Sequence, residues 1–259
     1  MIKIQDAFKN GKAFIPFIVA GDPNLAATEK FIISMAKAGA DLVEIGIPFS
    51  DPVAEGQVIQ AASKKALDAG TTTDKLFEMV KNLRPQIDIP LVFMTYVNPI
   101  FVYGKDKFFA KCKEVGVSGV IVPDVPFEEK DEFAVSANAH DVEFVSLIAP
   151  TSENRIGMIA KEAQGFIYCV SSLGVTGVRS EIKTDIKSIV ETIRQYTKVP
   201  VAVGFGIATP EQAEKMASLS DGAIVGSAVI KIIDKYGSEA EQPIYDYVKQ
   251  MKAAVLRAK

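Results

Sequence analysis

Glu44 stands in the middle of LVEIGI, where Leu42, Val43, Ile45 and Ile47 have the character of a buried parallel strand. A carboxylate in such a strand is unfavourable unless it has a partner or a chemical task. Gly46, Pro48, Ser50, Asp51 and Pro52 then end the strand in a shaped loop, which returns a second acid, Glu55, eleven residues after the first. Two acids at one strand end suggest a general acid and base. The other reading is a structural ion pair at Glu44, with Asp51 and Glu55 as solvated loop charges.

Further candidates lie in the second half of the chain. Tyr168 falls in an apolar run, where a phenol could face the interior and hydrogen-bond a ligand or Glu44, or simply fill the core. Three glycine-bearing turns follow: Gly174 to Gly177 (GVTG, with Thr176), Gly204 to Ile207 (GFGI, with Phe205 and Gly206), and Gly226-Ser227 at the start of a helix. Together they suggest a phosphate cradle. Glycine lets backbone N–H groups approach an anion, a helix N-terminus adds a favourable field, and the Ser227 hydroxyl can donate once more. Any one of these glycines could instead serve only a tight turn. No lysine accompanies the cradle, so neutral donors and the helix end would carry the anion. The polar stretch GVTGVRSEIKTD could act as a lid or be an ordinary exposed loop.

The elements that must position these residues alternate regularly. Residues 1–10 read as a short amphipathic helix with Ile4, Ala7 and Phe8 on one face, placed to plug a barrel end. Strands are expected at 13–20, 42–47, 91–96, 119–123, 143–148, 166–170, 201–204 and 223–225. Helices are expected at 25–38, 57–69, 74–82, 105–114, 128–140, 154–162, 184–196 and 209–217, and after Gly226. Eight βα units over 259 residues imply closure into a (β/α)8 TIM barrel in one domain, 1–259, with an extra short N-terminal helix. A doubly wound open sheet is the other possibility, but it calls for GxGxxG after the first strand, where AGDPN stands. In a barrel the site lies at the carboxyl ends of the strands, and the turns after strands six to eight are where phosphate tends to bind.

Composition narrows the function. A net charge of −3, spread without blocks, gives no electrostatic footprint for nucleic acid or an anionic membrane. No stretch approaches the roughly 20 apolar residues of a transmembrane helix, and MIKIQDAFKNGK is no signal peptide, so a cytoplasmic location is expected. Cys112 and Cys169 show neither metal-ligand nor disulfide spacing, and His140 has no second histidine to join. No metal site is expected.

PFIVAGDP, VEIGIPFSDPVAEG, VPDVP, YCVSSLGVTG, GFGI and GSAVIKII occur along the chain. In order and spacing they resemble the tryptophan synthase alpha subunit family from end to end. That resemblance implies retro-aldol cleavage of indole-3-glycerol phosphate to indole and glyceraldehyde 3-phosphate, with no cofactor in this subunit. It implies Glu44 for both proton transfers and Glu55 as acceptor of the indole N–H. Phe17, Tyr96 and Phe205 become candidates for the apolar indole side or other substrate contacts, or for barrel packing. A pyridoxal-phosphate beta subunit is the implied partner, in an alpha2beta2 heterotetramer, with the Ser50–Pro52 loop near the contact.

Two departures stand out. The family's second acid is aspartate followed by Gly-Pro, whereas this chain has Glu55, Gly56 and Gln57. Glutamate reaches about 1.5 Å farther, so the loop must sit back or the carboxylate must fold. A stand-alone indole-releasing lyase, another phosphosugar-binding barrel enzyme and a noncatalytic subunit sensing a phosphate ligand are the alternatives.

Overall fold

The computed structural model describes residues 2–171 and 185–258. Thr176, Gly177 and all but the last residue of the 174–185 stretch lie outside the described residues. Nine parallel strand segments are described: β1 (Ala13–Val19), β2 (Val43–Gly46), β3 (Leu91–Met94), β4 (Gly119–Ile121), β5 (Glu143–Phe144), β6 (Ser146–Ile148), β7 (Ile167–Val170), β8 (Val201–Gly204) and β9 (Gly222–Val225). Their order is β5-β4-β3-β2-β1-β9-β8-β7-β6. The two ends of that order are consecutive in the chain, so the sheet closes on itself as a TIM-type barrel.

The strand expected at 143–148 is therefore two segments that share one place in the wall. β5 pairs with β4 and β6 pairs with β7. Between them, Val145 still donates its N–H to Val120 O at 2.9 Å. The chain leaves one neighbour and joins the next at this point, which period-two patterning cannot foresee.

Side chains at every second position of the strands fill the interior. Ala13, Ile15, Leu42, Val92, Ile121, Val145, Phe166, Tyr168, Ala202 and Ile224 form that cluster, and Ile4 and Ala7 belong to it. The expected N-terminal helix is a 3-10 turn at Ile4–Phe8. It stoppers the bottom of the barrel as foreseen: a Cβ on Gly119 or Gly165 would lie 2.6 or 2.9 Å from Ile4 Cδ1. The larger apolar cluster lies between the strands and the surrounding helices.

Those helices are α1 (Leu25–Lys37), α2 (Gln57–Asp68), α3 (Thr73–Leu83), α4 (Val97–Tyr103), α5 (Lys105–Val115), α6 (Asp131–Ala139), α7 (Ile156–Lys161), α8 (Ile186–Arg194), α9 (Pro210–Leu219), α10 (Ser227–Tyr236) and α11 (Glu241–Arg257). Asn24, Thr72 and Thr209 cap α1, α3 and α9 with their side-chain oxygens. The sequence reading assigns no helix to α4 or to α11. The latter has a legible signal, because Ile244, Val248, Met251 and Val255 recur at helical spacing and are all buried. The segment expected as a helix from 154 begins instead as a 3-10 turn, Pro150–Arg155, before α7. No described helix is long and apolar enough to cross a membrane.

Candidate active site

Leu42, just before β2, shares the inward face with Glu44 and Gly46 of that strand by alternation. Leu42 belongs to the packed interior below. At Gly46 the missing side chain leaves room for a neighbour: a Cβ there would lie 2.7 Å from Phe17 Cζ. Phe17, which is in register with Glu44 across β1 and β2, thus folds over the strand end. Glu44 remains 1% exposed beneath the mouth of the barrel.

The loop after β2 sends its acids in different directions. Asp51 is exposed and bonded to the Ser50 hydroxyl, whereas Glu55 is turned in and only 7% exposed. Gly56 starts α2 immediately afterwards, and Gln60 Nε2 donates to Glu55 O at 2.6 Å, fixing the acid's backbone. The Tyr96 hydroxyl is near enough to the Glu55 carboxylate to favour its ionised form. That hydroxyl also accepts from Ala54 N–H at 3.3 Å.

Both acids face one cavity of about 250 Å³. Each has one buried carboxyl oxygen, Oε2, without a hydrogen-bond partner among the described residues. Among the described residues the charge that acts on Glu44 is that of another acid, Glu55, and no cation pairs with Glu44. Burial first, and then Glu55, push its pKa up to about 8. Burial raises Glu55 to about 7, against the nearby Tyr96 hydroxyl that pulls it down.

Tyr168 lies inward on β7, also lining the cavity. No hydrogen bond joins its hydroxyl to Glu44 among the described residues. Instead the phenol lies over β8, where a Cβ on Gly204 would be 2.3 Å from Oη. Burial, followed by the nearby Glu44, pushes its ionisation far above the ordinary range. Phe205 meets the Tyr168 ring edge-on at 6.1 Å. Its φ of 78°, followed by 79° at Gly206, puts a bulky residue in the left-handed region. Ser171 Oγ holds this turn by donating to Phe205 O at 2.6 Å.

Phe17, Tyr96, Phe205, Gly206, Gly226 and Ser227 line the same cavity. The acids come from β2 and its loop, and the glycine turns come from β8 and β9, across β1. Ser227 is the first residue of the ten-residue α10, so the helix N-terminus is at the cavity wall. Gly226 also has a packing reason to be glycine, since a Cβ would sit 3.1 Å from Phe17 Cδ1. Thr176 and Gly177 lie outside the described residues. Sequence reasoning missed Met94, Leu147, Val170 and Ile224 in the apolar wall, and Ser152 beside them. Met94 and Val170 were findable, as each stands two positions beyond an interior residue, Val92 and Tyr168. Ser152, in the turn after β6, carried no such signal.

Among the described residues no lysine lines the cavity, and no group of three acids, histidines or cysteines is placed to hold a metal ion. Cys112 and Cys169 are buried free thiols, and the His140 ring bonds Asp106 on the surface at 3.0 Å.

The family model of the tryptophan synthase alpha chain matches residues 4–256. The tryptophan synthase alpha chain of Lacticaseibacillus casei is 48% identical over 255 residues, covering 98% of this chain and 96% of that protein. Among solved structures, the tryptophan synthase alpha chain of Legionella pneumophila subsp. pneumophila superposes with a TM-score of 0.89. It is 34% identical, with 99% of this chain and 98% of that one covered. A chain of the tryptophan synthase complex from Pyrococcus furiosus gives a TM-score of 0.85 at 33% identity, covering 94% and 98%. With its matched length, its closed barrel and its two inward acids, this chain belongs to the tryptophan synthase alpha chain family.

Proposed function

We propose that the chain is a lyase that cleaves indole-3-glycerol phosphate to indole and glyceraldehyde 3-phosphate, acting as a cytoplasmic, single-domain alpha subunit of tryptophan synthase. The observation that supports this most is the pair Glu44 and Glu55, buried with no cation lining their cavity among the described residues and facing one largely apolar space. Burial and the charge of Glu55 keep Glu44 protonated at neutral pH, while Glu55, whose ionised form the nearby Tyr96 favours, ionises first. Environments that push two carboxyl groups apart assign the acid and the anion.

In the first step the Glu44 carboxyl gives its proton to indole C3, and the positive charge spreads to the ring nitrogen. The Glu44 carboxylate then takes the proton of the side-chain hydroxyl next to C3. As that oxygen becomes the aldehyde carbonyl, the C–C bond breaks and its electrons return to the ring, releasing indole. One proton is given and one is recovered, so the enzyme ends as it began. Glu55 accepts the indole N–H and stabilises the charge developing there. Phe17, Tyr96 and Phe205 provide the aromatic walls, and Tyr168 bounds the site beside Glu44. Gly206, Gly226 and Ser227, with Thr176 and Gly177, hold the phosphate through backbone donors, the α10 N-terminus and a hydroxyl.

Pyridoxal phosphate, in this reading, belongs to a beta subunit partner in an alpha2beta2 assembly, where it supplies the chemistry that consumes indole. Among the described residues no lysine lines the cavity. The test is to mix the purified chain with indole-3-glycerol phosphate, with and without a beta subunit, and follow indole. Release that rises with the partner is expected, and no indole under either condition would overturn the proposal.

A further inference from the structure

The wall between β7 and β8 continues one residue past the end of β7. Val170 stands in register with Gly204, and the next residue, Ser171, adds a further rung, its N–H donating to Gly204 O at 3.0 Å. The side chain then makes a second bond, Oγ donating to Phe205 O at 2.6 Å. One fully buried residue thus holds two consecutive carbonyls of the turn after β8.

Strand alternation shows from which side it does so. Tyr168 and Val170 belong to the barrel interior and Cys169 to the cluster between strands and helices, so Ser171 falls on the outer side of the wall. Gly206 lines the cavity, and Ser171 does not. A hydroxyl behind the wall therefore draws the Phe205 carbonyl outward. The peptide between Phe205 and Gly206 is trans, and across a planar trans peptide the N–H points opposite to the carbonyl. The Gly206 N–H is thereby turned inward, to the cavity that Gly226 and Ser227 also line at the start of α10.

The residues of the turn do not enforce that orientation themselves. Glycine at 206 tolerates either sense of the peptide. Phe205, at a φ of 78°, occupies a region that a bulky residue keeps only when its surroundings over-determine it. With the peptide turned over, a carbonyl in place of an N–H would face the anion and repel it. We propose that Ser171 is a positioning residue for the phosphate cradle: from outside the barrel wall, its hydroxyl fixes the Phe205–Gly206 peptide with the N–H toward the phosphate. This rests on the phosphate role proposed for Gly206, Gly226 and Ser227, and adds to it a residue that touches no substrate.

The test is Ser171→Ala in the full chain, with glycerol 3-phosphate titrated by calorimetry and followed in the amide NMR spectrum of isotope-labelled protein. In wild type the ligand should bind and the Gly206 N–H should move downfield as it gains the anion. The variant should fold, bind glycerol 3-phosphate on the order of tenfold more weakly, and lose most of the Gly206 shift at saturation while Ser227 keeps its own. A serine with only a packing role would lower the melting temperature and leave the Gly206 response intact. Wild-type affinity, or an undiminished Gly206 shift, would overturn the proposal. In turnover of indole-3-glycerol phosphate with a beta subunit, KM should rise by a similar factor while kcat falls less, and the reverse split also counts against it. Should the alanine variant fail to fold, Ser171→Cys keeps the size and a weaker donor. It must show the same losses in smaller measure, and a cysteine variant indistinguishable from wild type would sink the assignment. Failure of the underlying reading looks different, since wild type itself would then show neither glycerol 3-phosphate binding nor a Gly206 shift.

Discussion

The hydroxyl of Tyr168 occupies the space that a side chain on Gly204 would need, 2.3 Å from where its Cβ would lie. The two residues stand on adjacent strands, β7 and β8, with Val170 in register with Gly204. Glycine at the end of β8 is therefore what admits a phenol to the cavity beside Glu44. Its role is established by packing before any ligand is considered.

Gly204→Ala should displace the Tyr168 ring and strain the strand, at about 1–3 kcal/mol as is usual for overpacked interiors. A lower Tm together with slower indole release is expected. Wild-type values for both would show that the phenol can move aside freely.

Glu44→Gln should abolish indole release while leaving glycerol 3-phosphate binding intact, because it removes the proton without touching the β8 and β9 turns. It should also stabilise the fold. With its folded pKa near 8 and an ordinary value of 4.5, Glu44 contributes its full stability below about pH 4.5 and loses it progressively as pH rises to about 8. The loss is about 1.4 kcal/mol for each pH unit in that window. Glutamine does not titrate, so the Tm advantage of the variant should grow from pH 5 to pH 8 and then level off. A constant difference across that range would mean that Glu44 is not buried as a neutral acid.

Because Glu55 works ionised and Glu44 starts protonated, kcat/KM should follow a narrow bell. The acid limb lies near pH 7 and the basic limb near pH 8, both belonging to the pair as a unit. A rate that rises without limit to pH 9 would reverse the assignment of Glu44 as the acid.

Gly226→Asp and Gly226→Ala separate two reasons for glycine. Both add a Cβ close to Phe17, but only aspartate brings a negative charge to the α10 N-terminus. Glycerol 3-phosphate should bind the aspartate variant at least about tenfold more weakly than the alanine variant, by charge repulsion. Equal affinities measured by calorimetry would remove this position from the phosphate site.

The amino-acid sequence was sufficient for the alternation of strands and helices, the barrel they close, the plug at Ile4 and the inward direction of Glu44. Each follows from short-range periodicity, because a residue two positions from Leu42 on a strand must share its face. The amphipathic run of α11 was equally legible through Ile244, Val248, Met251 and Val255. Only the tertiary structure decided which loop acid turns inward. Asp51 and Glu55 share a polar, proline-bearing loop with no period of its own, and Glu55 is the one buried against a cavity lined by residues as distant in the chain as Tyr96, more than forty positions on. The split of the wall between β5 and β6, and the fit of Tyr168 over Gly204, were settled in the same way. They depend on where distant strands come to lie beside one another, which no local pattern of residues encodes.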